Sequence, residues 1–304
     1  MKISVIGAGN VGAALSQRIV ESGLADVVLL DILKDMAQGK SLDIMHSAPI
    51  LGHEKRITGT DDYKETEDSD IVVITAGFPR QPGMSRLDLL NKNKSVIKEI
   101  TNNIKRHAAG AIIIVVTNPL DAMTYLVLKE SGLKPDRVMG MAGALDRARF
   151  IYIIAGELKK KNKDIETMVV GEHGEKMVAL VSQTKVSGRS IKEILPKERI
   201  DELKKRSLES GASIVKLLGK GSAYYGPSAA CFSMIKSIIK DEKTLASVSC
   251  MANGEYGLSN ICIGLPVLLG KNGIEKIVTL KLDREELDAL KKSADAIKEQ
   301  IAAL

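Results

Sequence analysis

Tryptophan is absent from the chain, and aromatic residues of all kinds make up only 3%. Proteins that hold single strands of nucleic acid stack bases on such rings, so this composition argues against that class even though the formal net charge is +6. The basic residues are scattered. The densest run, Lys159-Lys160-Lys161-Asn162-Lys163, closes a helix-like stretch, where cations suit the C-terminal end of the helix dipole. Cysteine is scarce as well. Cys231, Cys250 and Cys262 are an odd number with no close spacing, which excludes a disulfide framework and a Cys/His metal cluster. Reduced, buried thiols and no metal are expected. No apolar run approaches the ~18 residues that span a bilayer, and Met1-Lys2 lead straight into Ile-Ser-Val-Ile without the pattern of a signal peptide. The expected location is cytoplasmic, with neither nucleic acid nor membrane as partner.

What the 304 residues do contain is the balance of a two-domain globular protein, 44% hydrophobic and 27% charged. The first half alternates short Val/Ile-rich runs with helical stretches. Strands are expected at 2–6, 26–30, 70–75, 111–117 and 137–140, apolar on both faces as buried parallel strands are, with helices between them at 11–22 and 87–107. This is the pattern of an α/β doubly wound parallel (Rossmann) sheet. Near residue 145 the character changes. A helix-like stretch at 145–161 leads into a strand at 166–170 and then alternating Val/Ser/Lys segments. Helices follow around 200–218 and 227–240, and a last one runs from 283 to 304 with Leu287, Leu290, Ala294, Ile297 and Ile301 on one face. The expected division is residues 1–144 as a dinucleotide-binding domain and 145–304 as an α+β substrate domain, packed closely because no flexible linker separates them.

Gly7-Ala8-Gly9-Asn10-Val11-Gly12 follows the first strand and opens the first helix. In that position each glycine has a mechanical reason. Gly7 permits the tight turn, Gly9 the approach of a pyrophosphate, and Gly12 the packing of helix on strand. The helix N-terminus offers free N–H groups to the phosphates. Asp31 ends the second strand, where an acid accepts hydrogen bonds from ribose hydroxyls and repels a 2′-phosphate, so NAD is favoured over NADP. Asn118, in Thr117-Asn118-Pro119 at the end of another strand, stands where ligands bind in open α/β sheets; the alternative is a simple Asn-Pro turn.

His173 lies between glycines in Gly171-Glu172-His173-Gly174, and an imidazole suits proton exchange with an alcohol near neutral pH. His46, His53 and His107 have no such setting and read as structural. Asp146 and Arg149, three apart on one helix face, could present an acid to the histidine and a guanidinium to a substrate carboxylate, or form a plain surface ion pair. The segment from Gly77 to Arg86 is rich in Gly and Pro yet carries Arg80 and Arg86, which matches a loop that closes cations over an anionic substrate, or a solvated loop in a basic protein.

Together these segments, with Leu120-Asp121, Phe150 and Tyr225-Gly226-Pro227-Ser228, resemble the lactate and malate dehydrogenase family over essentially the whole chain, and within it the lactate-dehydrogenase-like malate dehydrogenases. The resemblance implies an NAD-dependent hydride transfer on a small dicarboxylate, malate or oxaloacetate, with a place in the tricarboxylic acid cycle. It implies His173 as proton donor and acceptor, Asp146 as its orienting acid, Arg149 on the substrate's C1 carboxylate and Arg86 polarising the reacting carbonyl. Asn118 would contact substrate and nicotinamide, with a cis bond to Pro119. Cofactor contacts are implied at Gly7, Gly9, Asn10, Val11, Gly12, Asp31, Asn93 and Asn118. Arg80 takes the discriminating position, where relatives acting on pyruvate carry glutamine, and a second carboxylate left unpaired in a closed site would cost roughly 3–5 kcal/mol. Gln81 beside it would compete if the loop shifted. Two departures stand out: Arg147 where a small residue is expected, and His46 where an acid is. A homodimer or homotetramer is implied, and Met141-Ala142-Gly143-Ala144 is a segment that could pack between subunits. The competing readings are the same chemistry on a monocarboxylate, a non-catalytic NAD sensor, and a basic interaction protein.

Overall fold

The computed structural model describes residues 1–79, 84 and 86–304, and of Arg86 only the backbone. Six short aliphatic runs pair side by side in it: β1 (Lys2–Ile6), β2 (Asp26–Leu30), β3 (Ile57–Thr60), β4 (Ile71–Ile74), β5 (Ile112–Val115) and β6 (Val138–Gly140). Their order across the sheet is β3-β2-β1-β4-β5-β6, all parallel, the order of a dinucleotide-binding doubly wound fold. The sequence reads as apolar on both faces because both faces are covered. In β4, Ile71 and Val73 enter one core while Val72 and Ile74 enter the other, and all four are buried. The first core is closed by α1 (Asn10–Glu21) and α2 (Lys34–His46), the second by α4 (Arg86–His107) and α5 (Leu120–Ser131); α3 (Ala48–Leu51) is a single turn between α2 and β3.

β1 and β2 have the expected limits. The strands expected at 70–75 and 111–117 are trimmed at both ends to Ile71–Ile74 and Ile112–Val115, and the threonines beyond them turn to the loops. The Thr75 hydroxyl donates to the Gly7 carbonyl at 2.9 Å and that of Thr117 to the Ala76 carbonyl at 2.6 Å, so both threonines strap the turns at the strand ends.

After β6 comes α6 (Gly143–Leu158), which ends as Lys159 turns left-handed at φ 51°. The strand expected at 166–170 is two strands. β7 (Ile165–Glu166) joins β10 (Lys185–Val186) and β11 (Arg189–Ser190) in a small sheet, while β8 (Val169–Gly171) pairs with β9 (Met177–Ala179) and β13 (Ser259–Gly270). Two helices, α7 (Lys197–Leu218) and α8 (Tyr225–Ile239), precede a long antiparallel hairpin of β12 (Thr244–Asn253) and β13, with β14 (Gly273–Ile277) on the far side of β13. α9 (Arg284–Ala302) follows a capping box at Asp283 and buries Leu290, Ala294 and Ile297 on the expected face. The hairpin is antiparallel to β6 at Ser249 and Gly140, so the parallel sheet continues into the second half of the chain. The aliphatic core continues with it: α8 residues Ala230, Cys231, Met234 and Ile235 belong to the same cluster as Ile3, Leu15 and Ile19, and Arg18 Nε donates to Ser228 Oγ at 3.2 Å.

This continuity also engages a segment expected to suit a subunit contact. Met141, Ala142 and Gly143 are buried inside the protomer, and a Cβ on Gly143 would lie 2.0 Å from the Ser247 hydroxyl. Gly143 there serves the packing of α6 on β12.

Candidate active site

The Gly-rich turn joins β1 to α1 at the C-terminal edge of the sheet. Gly7 has φ 108°, and a side chain there would strike the Ala76 backbone at 2.6 Å. A Cβ on Gly12 would lie 1.9 Å from the Gly7 carbonyl oxygen. At Gly9 a Cβ would meet nothing within 4 Å, so no packing inside the protein requires glycine there, and the space beside it is open to a ligand. α1 begins without a side-chain cap and without an acid in its first turn, so its N–H groups and positive dipole end face outward. Asn10 is exposed and Val11 half-buried beside them. Asp31 directly follows β2 and is turned to this edge. Its carboxylate accepts the N–H of Ala8 at 2.7 Å and of Leu33 at 2.9 Å, and Lys40 Nζ donates to the Ala8 carbonyl at 2.7 Å. The residues present therefore fit a pyrophosphate and a ribose.

The next strand ends along this edge carry Asn118 and its neighbours. Asn118 is exposed and its bond to Pro119 is cis. Asn93, expected among the cofactor contacts, is completely buried. Its Oδ1 accepts the Phe78 N–H at 2.8 Å, and its Nδ2 donates to the Asn118 carbonyl at 2.7 Å and the Phe78 carbonyl at 3.3 Å. Its whole amide is used to join the segment before α4 to the Asn118 turn. Arg80 lies outside the described residues, as does Gln81. Arg86 opens α4, and its side chain is likewise outside what is described.

Across from the turn, α6 and the β8–β9 connection bring together the residues of the chemical constellation. His173 Nδ1 is 2.7 Å from Asp146 Oδ2. A carboxylate accepts, so Nδ1 carries the hydrogen and Nε2 is left for the cleft. Arg149 Nη1 donates to the other oxygen, Asp146 Oδ1, at 3.2 Å. The side chains are 16% exposed for His173, 4% for Asp146 and 20% for Arg149, so this is no surface ion pair: the acid is enclosed and the two partners retain a face to the cleft. Burial alone would lower the pKa of His173; the charge and hydrogen bond of Asp146 and the charge of Asp121 outweigh it, and Arg149 opposes them, leaving the imidazole raised above its ordinary 6.5.

The loop that carries His173 is held from two further sides. The His173 N–H donates to Asp121 Oδ2 at 2.8 Å, and the Glu172 N–H to Ser293 Oγ of α9 at 2.6 Å. Glu172, itself buried, accepts from Gln300 at 3.0 Å. Arg149 faces α7, where a Cβ on Gly211 would lie 3.7 Å from its guanidinium. α7 is fixed to α6 by Arg199 Nε on Glu157 at 2.7 Å. Asp121, Ser293 and Gln300 have no counterpart among the expected site residues. For Asp121 a signal existed, an acid inside an otherwise apolar helix start; for the two α9 residues none did.

The neighbouring departures are resolved by position. Arg147 points away from Asp146 and donates to the Leu245 carbonyl at 3.3 Å. His46 is exposed at the end of α2, His107 pairs with Glu67 at 3.2 Å, and His53 is buried with neither ring nitrogen hydrogen-bonded. All three cysteines are buried and unpaired, and burial pushes their thiols up.

Comparisons with known proteins show the family. Residues 1–140 match the NAD binding domain of lactate/malate dehydrogenase, and residues 143–304 match the alpha/beta C-terminal domain of the same family. The chain belongs to the lactate/malate dehydrogenase family. It is 47% identical to malate dehydrogenase of Methanosarcina mazei over 304 residues, which cover 100% of this chain and 99% of that one. Two solved structures from Cryptosporidium parvum superpose on it. One is a malate dehydrogenase, with TM-score 0.96, 36% identity and coverage of 99% and 98% of the two chains. The other is a lactate dehydrogenase complexed with lactic acid and NAD, with TM-score 0.97, 35% identity and coverage of 99% and 96%. As a member of this family the chain is an NAD-dependent oxidoreductase, and the Gly-rich turn with Asp31 fits that cofactor. Among the described residues no helix is long and apolar enough to cross a membrane, and no cluster of His, Cys, Asp and Glu is arranged to hold a metal.

Proposed function

We propose that this family member is a malate dehydrogenase, which interconverts malate and oxaloacetate through a His173–Asp146 proton relay. The observation that carries the reading is the enclosed Asp146, which receives His173 Nδ1 on one oxygen at 2.7 Å and Arg149 on the other at 3.2 Å. NAD, when bound, supplies or accepts the hydride. The chain's residues do the rest. Gly7, Gly9, Asn10, Val11 and Gly12 receive the pyrophosphate, Asp31 the adenosine ribose, and Asn118 the nicotinamide and substrate side; Asn93 acts by holding Asn118 in place. Arg149 pairs with the C1 carboxylate. His173 in its cationic form delivers a proton from Nε2 to the developing alkoxide, and in its neutral form removes it in reverse. Asp146 fixes the tautomer and stabilises the imidazolium. Because the imidazole is raised, oxaloacetate reduction should persist above the ordinary histidine range, and malate oxidation should rise as the pH passes it.

Arg86 polarising the carbonyl and Arg80 pairing with the second carboxylate complete the proposal. The relatives named malate dehydrogenase support the substrate, and so does the arginine at position 80. The fold does not decide it, since lactate and malate dehydrogenases superpose equally well. The division at residue 144, a cytoplasmic location and a homodimer or homotetramer belong to the same proposal; the buried, unpaired thiols suit a reducing compartment.

The test is kcat/KM for NADH oxidation with oxaloacetate and with pyruvate. A preference for oxaloacetate of about 100-fold or more is expected. Comparable rates, or a preference for pyruvate, would reject Arg80 as the reader of the second carboxylate.

A further inference from the structure

Asp121 is a costly residue to keep where it stands. It occupies the first turn of α5, 2% exposed, between the buried Leu120 and Ala122. Oδ2 accepts the His173 N–H at 2.8 Å, whereas the buried Oδ1 has no well-formed hydrogen bond, the Ser249 hydroxyl of β12 standing near the carboxylate without meeting it in good geometry. A buried carboxylate with half its acceptors idle destabilises the fold. Asparagine would do better for stability alone: its carbonyl would keep the His173 bond and its amide would reach the Ser249 hydroxyl, with no charge to bury. The charge must therefore serve something other than packing.

We propose that Asp121 is a positioning residue for proton transfer, which clamps the backbone of His173 while its negative charge, beside that of Asp146, holds the imidazolium. The proposal rests on the reading of His173 as the proton carrier. The two acids approach from different sides, Asp146 at the ring and Asp121 at the main chain, so one sets the tautomer and the other sets where the ring stands. The coupling runs both ways. Burial pushes Asp121 up to about 6, and the Ser249 hydroxyl, the His173 N–H and the His173 charge pull it down while Glu172 adds to the rise; a positive His173 therefore favours an ionised Asp121. Among the described residues, the other groups facing this pair are Asp146 and Arg149 on α6, Glu172 in the same loop, and Cys250 and Cys262 on β12 and β13. Arg149 opposes the cation, the thiols stay neutral, and Glu172 is occupied by Gln300 and the Lys176 N–H.

The test sets Asp121→Asn and Asp121→Ala beside the wild type, with thermal unfolding at pH 8, NADH titration, and the pH profile of kcat/KM for oxaloacetate reduction. Asp121→Asn is expected to melt no lower than the wild type and to bind NADH as well. Its alkaline limb for reduction should move down by about half a unit to one unit, with about a 10-fold loss above that limb. Asp121→Ala, which also loses the clamp, should fall by about 100-fold, so that Asn recovers part of the rate. An Asn variant with an unmoved limb and wild-type rates would overturn the role of the charge. One that melts lower, with an unmoved limb, would make Asp121 merely structural. His173→Asn in the same series separates the premises: turnover surviving in it would bring down the proton-carrier reading itself, whereas its inactivity beside a normal Asp121→Asn would bring down only this inference.

Discussion

The Gly-rich turn and the His173 corner face the same cleft, and they are built by opposite means. The turn is made of backbone. Its N–H groups, its two sterically required glycines and the acid that closes it all come from the first 31 residues. The corner is made of side chains drawn from α5, α6, the β8–β9 loop and α9, residues that lie far apart along the chain. The first kind of site tolerates a change of charge and fails when a Cβ is added. The second tolerates small changes of shape and fails when a charge or a proton acceptor is removed.

Substitutions that break this contrast should differ in kind as well as in size. The largest effect is expected for His173→Asn, which should lower turnover by about 10³-fold while NADH binding, measured by fluorescence titration, stays at the wild-type level. Loss of NADH affinity in that variant would mean that the corner also builds the cofactor site. Gly12→Ala is the converse. Its Cβ would lie 1.9 Å from the Gly7 carbonyl, so the turn must move, at a cost of about 1–3 kcal/mol of stability and about 10-fold or more in NADH Kd. The smallest effect is expected for Arg147→Ser. The guanidinium is turned to the Leu245 carbonyl and away from Asp146, so a melt should change by less than about 1 kcal/mol with kcat/KM unmoved. A clear gain or loss of rate would tie Arg147 to the corner after all.

The same contrast explains what could be read in the sequence. Glycine spacing after an aliphatic strand is a local pattern with a steric cause, so the turn, Asp31 and the first two strands were legible to the residue. Histidine, aspartate and arginine carry no such local signature. Asp146 and Arg149 could be placed on one helix face, but their meeting with His173 had to be taken from the resemblance. Asn93 was expected to touch the cofactor and instead lies wholly inside the wall of the site, since a helix position does not reveal which way an amide turns. Met141 to Ala144 looked fit for a subunit contact because small residues suit any close approach, and the structure uses Gly143 among them against Ser247 of the same chain. The docking of β12 on β6 and the grip of α9 on the loop that carries His173 depend on pairings over a hundred residues apart, which periodicity does not encode.

The reach of α8 back onto α1 bears on how the protein is born. On a ribosome the parallel sheet emerges first, and domains usually fold as they emerge. Here the cover for the flank of α1, Ala230, Cys231, Met234 and Ile235 in one cluster with Leu15 and Ile19, lies much later in the chain. Until translation delivers it, α1 carries a bare oily flank, and this is the interval in which a chaperone has something to hold.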